Sequence, residues 1–401
     1  MIIRKAKPDE LLQAKKISSI AFEYPINCDD PDIVSLNEKA DSPPEKPVDN
    51  IWCAFEADKM IAKIQIPMYQ VRFDGHLVPL AGIGGVATLP QYRNRGAIRG
   101  CFVEAFREMQ KNGILFSYLY PFSTAYYHMF GYTPGCQMTT WKLPLSSLPK
   151  GKLTGSISLY EKGESIADIQ EVYTAATNSY NMVSVKEHKQ FQNILEVDCY
   201  SDQQRYVYLY YNTKGDPAAY LCFQRTAEDR DTVMACTDLF FTNRESFQEL
   251  LQFISSFQPR YTYVSFSLPS SVSLTGYFSE CNGVQRTVQN WGMWRVVDAE
   301  KVLQLARYRG DGSFTVKIFD KYCPWNEDTF QVQFVDGICK SVDRCSTVPD
   351  LEADIADFTD LICGNVTAED LAFHPSIHTY GNFENLEKAF YRKSAWFHER
   401  F

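Results

Sequence analysis

The sequence predicts α/β folding over its first two thirds and an α+β unit at its end, and three observations carry this. Apolar residues spaced three and four apart mark amphipathic helices between short runs of β-formers. The helix and strand order of residues 1–148 recurs over 149–290. From 291 to 401 the order changes to strands followed by helices.

In the first segment Ala6 to Phe22 reads as a helix, and Ile51 to Phe55 and Met60 to Ile66 read as strands. Val71 to Phe73, the dipeptide Asp74-Gly75 and the run from Leu77 read as a hairpin. Gly96 to Lys111 carries Ile98, Cys101, Phe102, Ala105, Phe106 and Met109 on one helical face; Gly113 ends it, and Ile114 to Tyr120 is a strand. Pro144 to Gly155 has linker composition. In the second segment Glu164 to Ser179 and Arg244 to Phe257 read as helices, with strands at Tyr206 to Tyr211, Ala219 to Arg225, Val233 to Phe241 and Tyr261 to Leu268. The third offers strands at Met293 to Val297 and Phe314 to Asp320 and a hairpin about Asp336-Gly337. Helices are expected at 350–363, 368–372 and 383–390.

Composition narrows the function. A chain of 401 residues that is 45% apolar supports several cores. Its net charge of −9 disfavours a nucleic-acid partner, which demands a basic surface, and favours cationic small molecules. The start, Met1-Ile-Ile-Arg-Lys, has no apolar leader, and nowhere do about 18 apolar residues run together. A cytoplasmic protein with no membrane partner is expected. The twelve cysteines contain no Cys-x-x-Cys, so buried reduced thiols are expected. His374 and His378 are separated by Pro375, which interrupts a helix, and no metal site is expected.

The chemistry concentrates in Gly84 to Phe102. A strand ends near Thr88, a basic loop with Arg93, Arg95 and Arg99 follows, and a helix starts at Gly96. The first turn of a helix offers free N–H groups and partial positive charge, a ready phosphate site. A solvated basic helix start is the plain alternative. The loop lacks Gly-Lys-Ser/Thr and Gly-x-Gly-x-x-Gly, which argues against nucleotide hydrolysis and dinucleotide binding.

Arg93-Asn-Arg-Gly96-Ala-Ile98 after a strand resembles the pyrophosphate loop of the GNAT (GCN5-related) N-acetyltransferases. Tyr127-His-Met-Phe130-Gly-Tyr132 resembles the same superfamily. Amine attack on a thioester expels a thiolate whose thiol has a pKa near 8.5, below a phenol near 10. The resemblance therefore implies Tyr127 as general acid, against the plain reading of Tyr126 and Tyr127 as packing aromatics.

Over residues 1–401 the chain resembles the Eis-like (enhanced intracellular survival) acetyltransferases, a tandem of GNAT domains followed by a sterol-carrier-protein-like α+β domain. Arg295-Val-Val-Asp298, Pro324-Trp-Asn326 and Pro349-Asp-Leu-Glu-Ala-Asp-Ile355 carry the likeness at the end. The resemblance implies domains at 1–148, 149–290 and 291–401. It implies acetyl-CoA as co-substrate and a primary amine acceptor: an aminoglycoside, a polyamine or a lysine-like group, small or peptidyl. Val86, Ala87 and Thr88 would supply strand-edge backbone groups to the pantetheine and thioester oxygen, and Asn94, Arg95, Gly96, Ala97, Ile98 and Arg99 would hold the pyrophosphate. Phe122 and Ser123 would border the coenzyme, and Phe22 and Tyr24 the acceptor. The terminal carboxylate of Phe401 would serve as base. A second copy without coenzyme is implied, matching Asp238 to Ser246, a junction with no glycine, and so is a homohexamer. Alternatives are other acyl transfer, such as N-myristoyl transfer, and a non-catalytic CoA- or lipid-binding protein.

Overall fold

The computed structural model describes residues 1–36, 50–228, 231–278 and 280–399. Phe401, the expected terminal base, lies outside the described residues. The chain forms two compact units. One holds Met1–Gly135, Gly292–Lys393 and Glu399; the other holds Cys136–Trp291 and Ser394–His398.

The first unit begins with β1 (Ile2–Lys5), α1 (Leu11–Phe22), β2 (Ile51–Glu56), β3 (Lys59–Gln65), β4 (Met68–Phe73) and β5 (His76–Thr88). It continues with α2 (Ala97–Lys111), β6 (Phe116–Leu119), α3 (Thr124–His128) and β7 (Thr133–Pro134). Its sheet has the order β1-β2-β3-β5-β6, then Met293–Val296, then β7, with β4 paired to β5. The expected hairpin turn is present: Asp74 and Gly75 both have positive φ, at 47° and 89°, as a type I′ turn requires. The apolar stripe of α2 packs Ala97, Ile98, Cys101, Phe102, Ala105, Phe106 and Met109 onto one sheet face. On the other face α1 buries Ala14 and Ile17 against Cys53, Phe55, Met60 and Ala87.

The length of β5 creates an opening. Its early residues pair in parallel with β6, from Leu80↔Phe116 to Ile83↔Leu119. Its late residues pair only with β3, at Ala62↔Thr88, Lys63↔Ala87 and Gln65↔Gly84, with a bulge between. Beyond Ile83 the parallel strands therefore part. Gly85, at φ +51°, supplies the backbone conformation for the bulge.

The second unit contains β8 (Gln137–Pro144), β9 (Ser156–Leu159), α4 (Ala167–Thr177), β10 (Arg205–Tyr211) and β11 (Pro217–Glu228). It ends with β12 (Asp231–Phe241), α5 (Arg244–Ser255), β13 (Tyr263–Pro269) and β14 (Gln285–Asn290). The sheet runs β14-β8-β13-β12-β11-β10-β9, parallel only at β12–β13. Strands β8 and β14 go beyond the sequence reading. Every residue of β14 is exposed, so no apolar alternation announced it.

The remaining elements complete the first unit: β15 (Met293–Val296), α6 (Ala299–Leu305), β16 (Gly312–Phe319), β17 (Asp328–Val335) and β18 (Ile338–Arg344). After them come β19 (Leu351–Asp354), α7 (Ile355–Cys363), β20 (His378–Thr379) and α8 (Phe383–Ala389). A separate sheet has the order β18-β17-β16-β19-β20. The helix expected from residue 350 starts later. Leu351 and Ala353 alternate inward as a strand, and Asp354 then caps α7 by accepting from the Asp357 N–H at 2.8 Å. All twelve cysteines are unpaired by disulfides. Among the described residues no helix is long and apolar enough to cross a membrane, and no metal-holding cluster occurs.

Candidate active site

A cavity of about 760 Å³ opens where β5 and β6 part. Its walls include Val86 and Thr88 from β5, the whole run Arg93 to Arg99, and Phe122, Tyr126, Met129 and Phe130. Ala21 and Phe22, the end of α1, close another side.

The floor is the start of α2. Gly96 is its N-cap, in the left-handed region at φ +80°, with no side chain capping the helix. A Cβ at Gly96 would meet nothing within 4 Å, so glycine is required there by backbone angle, not by crowding. Asn94 also sits at positive φ, 64°. The two turns aim the first amides of α2 into the cavity without competition, as an anion site needs. Arg95 stands beside it, 3.2 Å from Glu56 and over the Tyr92 ring at 5.1 Å.

The corresponding junction in the second unit is built differently. Asn243 caps α5, its side-chain oxygen accepting from the Ser246 N–H at 2.8 Å, and Ser246 Oγ answers to the Asn243 N–H at 3.2 Å. This capping box occupies the Ser246 amide, whose counterpart in α2, that of Arg99, meets no cap.

The aromatic wall comes from α3. Ser123 is its N-cap, accepting from the Tyr126 N–H at 3.3 Å, and so serves the helix instead of lining the cavity. Tyr126 lies on the wall, whereas Tyr127 is buried one layer behind it, edge-on to Phe102, Phe122 and Tyr126. The Tyr127 hydroxyl has no hydrogen-bond partner among the described residues, and burial pushes its pKa well up. Tyr126 is raised too, chiefly by burial.

Ala87 points away from the cavity into the α1-side core. Tyr24 is half-buried, with Lys15 over its ring at 5.3 Å, and is not on the cavity wall; Phe22 is, and is 52% exposed. The Tyr120 hydroxyl, just past β6, donates to the Glu399 carbonyl, which ties the last described residue to the mouth of the strand opening. Sequence reasoning overlooked Tyr92, Met129 and the bulge at Gly85. The pair Gly84-Gly85 inside a strand was a usable signal for the bulge.

Residues 2–135 match the family model of an acetyltransferase (GNAT) domain, residues 184–307 a further acetyltransferase (GNAT) domain, and residues 299–398 a sterol carrier protein domain. No curated relative matches the chain. Similar solved structures include a protein from Enterococcus faecalis V583 described as a probable N-acyltransferase, at 18% identity and TM-score 0.87, covering 100% of this chain and 99% of that one. A GCN5-related N-acetyltransferase from Anabaena variabilis shares 18% identity at TM-score 0.85, with 100% of both chains covered. Eis1 from Mycobacterium abscessus shares 15% at TM-score 0.80, again over 100% of both. At such identities the likeness establishes the fold. Fold and domain content together define a tandem GNAT protein with a C-terminal sterol-carrier-protein-like domain. That is the domain content which the sequence resemblance to the Eis-like acetyltransferases implies.

Proposed function

We propose that the chain is an acetyl-CoA-dependent N-acetyltransferase acting on a primary amine. The observation that carries this reading is the uncapped start of α2 at Gly96 opening into the same cavity as the parted strands β5 and β6. A diphosphate fits the free amides of residues 97–99 and the arginines beside them. An extended thioester arm fits the unpaired edge of β5 at Val86 and Thr88. Bound there, acetyl-CoA supplies an activated acyl group and a thiolate leaving group.

The chain's residues then have distinct tasks. The backbone at Val86 orients the acyl carbonyl. Phe22 walls the acceptor side, and Phe122 and Tyr126 exclude water. Tyr127 stays protonated because its burial disfavours the phenolate, and it donates a hydrogen bond toward the departing sulfur. Full proton transfer is uphill from so weak an acid, so donation is its main contribution. The ammonium acceptor must lose a proton, and the terminal carboxylate of Phe401 is the assigned base. Its support is the Tyr120–Glu399 hydrogen bond, which holds Glu399 beside the end of β6. Calorimetry with coenzyme A tests the reading: binding at one site per chain, lost on Gly96→Val, is expected. No binding of coenzyme A or acetyl-CoA overturns it.

A further inference from the structure

Lys63 is a cation inside a strand that is otherwise apolar from Met60 to Ile64. Residues directly opposite one another on paired strands share a face. Lys63 sits opposite Cys53 on β2 and Ala87 on β5, both in the core beneath α1, so its side chain lies on the α1 face. That is the face from which Ala21 and Phe22 reach the cavity. Its ammonium runs toward the bulge: a Cβ built on Gly85 would lie 2.8 Å from Lys63 Nζ and 3.6 Å from Gln65 Oε1. Gly85 adjoins Val86, which is on the cavity wall, whereas Lys63 and Gln65 are not themselves on that wall.

The residue is only 5% exposed, yet its ammonium takes no hydrogen bond and no ion pair among the described residues. Burial, with Lys15 nearby, lowers its pKa to about 8, so at neutral pH it is still mostly charged. Holding an unpaired cation out of water is costly, and an arriving anion recovers that cost. Gln65 beside it offers two further donors.

We propose that Lys63, with Gln65, holds a carboxylate on the acceptor, so that the preferred acceptor is an amino-acid-like amine instead of a polycation. This rests on the acyl-transfer reading of the cavity. The exposed apolar side chains of Phe22, Phe122 and Met129 at the same cavity favour an apolar or aromatic body between amine and carboxylate.

Matched pairs that differ only in the carboxylate test it: phenylalanine against phenethylamine, tyrosine against tyramine, lysine against cadaverine. Binding of each is read by ligand-observed NMR on the intact protein, without coenzyme and with it. Turnover is read by thiol release from acetyl-CoA. The carboxylate member should be favoured about tenfold, as a charge-assisted contact gives. Lys63→Met, of similar volume, should bring each ratio close to one through KM while kcat for the plain amines stays unchanged. Equal binding of the two members in the wild type, or a ratio that Lys63→Met leaves in place, overturns the proposal. Carboxylate preference in the coenzyme-free NMR arm without any acetyl transfer would support the anion site and defeat the acyl-transfer reading instead.

Discussion

Arg295 Nη2 donates to Asp320 Oδ2 at 2.6 Å, and neither side chain reaches solvent. The pair is a joint. Arg295 Nη1 donates to the Phe130 carbonyl, and its guanidinium lies over the Phe106 ring at 4.3 Å. Asn326 Nδ2 donates to the same Asp320 oxygen at 2.9 Å and to the Val297 carbonyl at 3.0 Å. Phe130 is on the cavity wall, so the joint connects that wall to the loop following β16. Removing one partner strands a buried charge, which costs about 3–5 kcal/mol. Asp320→Asn should therefore lower stability by that order in chemical denaturation. The double variant Arg295→Met/Asp320→Asn should recover part of the loss.

Tyr127 and Tyr126 make opposite demands. Among the described residues the Tyr127 hydroxyl has no partner to lose, so Tyr127→Phe should leave the melting temperature unchanged. Turnover should fall on the order of 100-fold, with coenzyme affinity retained. Tyr126 lies on the cavity wall and contributes surface, so Tyr126→Phe should leave kcat within about twofold and act on KM. Steady-state kinetics of both variants decides between them. A loss of kcat on Tyr126→Phe alone would transfer the donor role to Tyr126.

Glu56 competes for a coenzyme ligand. Its carboxylate lies 3.2 Å from Arg95, and both side chains are about half exposed. Such a pair is weak, worth under about 1 kcal/mol, but a diphosphate must displace it. Glu56→Gln should tighten coenzyme A binding about twofold by calorimetry, and the gain should vanish at high salt.

The fold was legible where periodicity was strong. The stripe on α2, the Asp74-Gly75 turn and the basic loop ending at Gly96 each follow from local chemistry in the sequence. The residues that resemble the family near the C-terminus, Arg295, Asp298 and Asn326, also acquire a physical reason. Arg295 and Asn326 build the joint, and Asp298 caps α6 by accepting from the Lys301 N–H at 3.1 Å. Gly131 of the Tyr127 motif is likewise explained: a Cβ there would lie 2.5 Å from Arg295 Nη1, and φ is +78°. What stayed hidden depends on partners distant in sequence. Ser123 was placed beside the coenzyme, but helix capping occupies its hydroxyl. Lys63 was not singled out, because only strand pairing puts it beside Gly85. Strand β19 was taken for helix because its four residues merge into the periodicity of α7.

Asp360 should make stability depend on pH. It lies in α7, accepting from Thr133 Oγ1 at 2.5 Å and from Asn365 Nδ2 at 3.1 Å. Burial dominates those hydrogen bonds and raises its pKa from the ordinary 3.8 to about 6. Between those values the folded chain holds a proton that the unfolded chain has released. This contribution to stability is complete below pH 4 and is lost as pH rises to 6, a change of roughly 2 kcal/mol. Asp360→Asn keeps the shape and cannot ionise. The difference in unfolding free energy between variant and wild type should shift in the variant's favour from pH 4 to pH 6 and level off by pH 7. Thr133 can meet the new amide because its hydroxyl accepts as well as donates. Denaturation curves of both proteins at half-unit pH steps measure this, and parallel stability profiles would mean that Asp360 is ionised throughout.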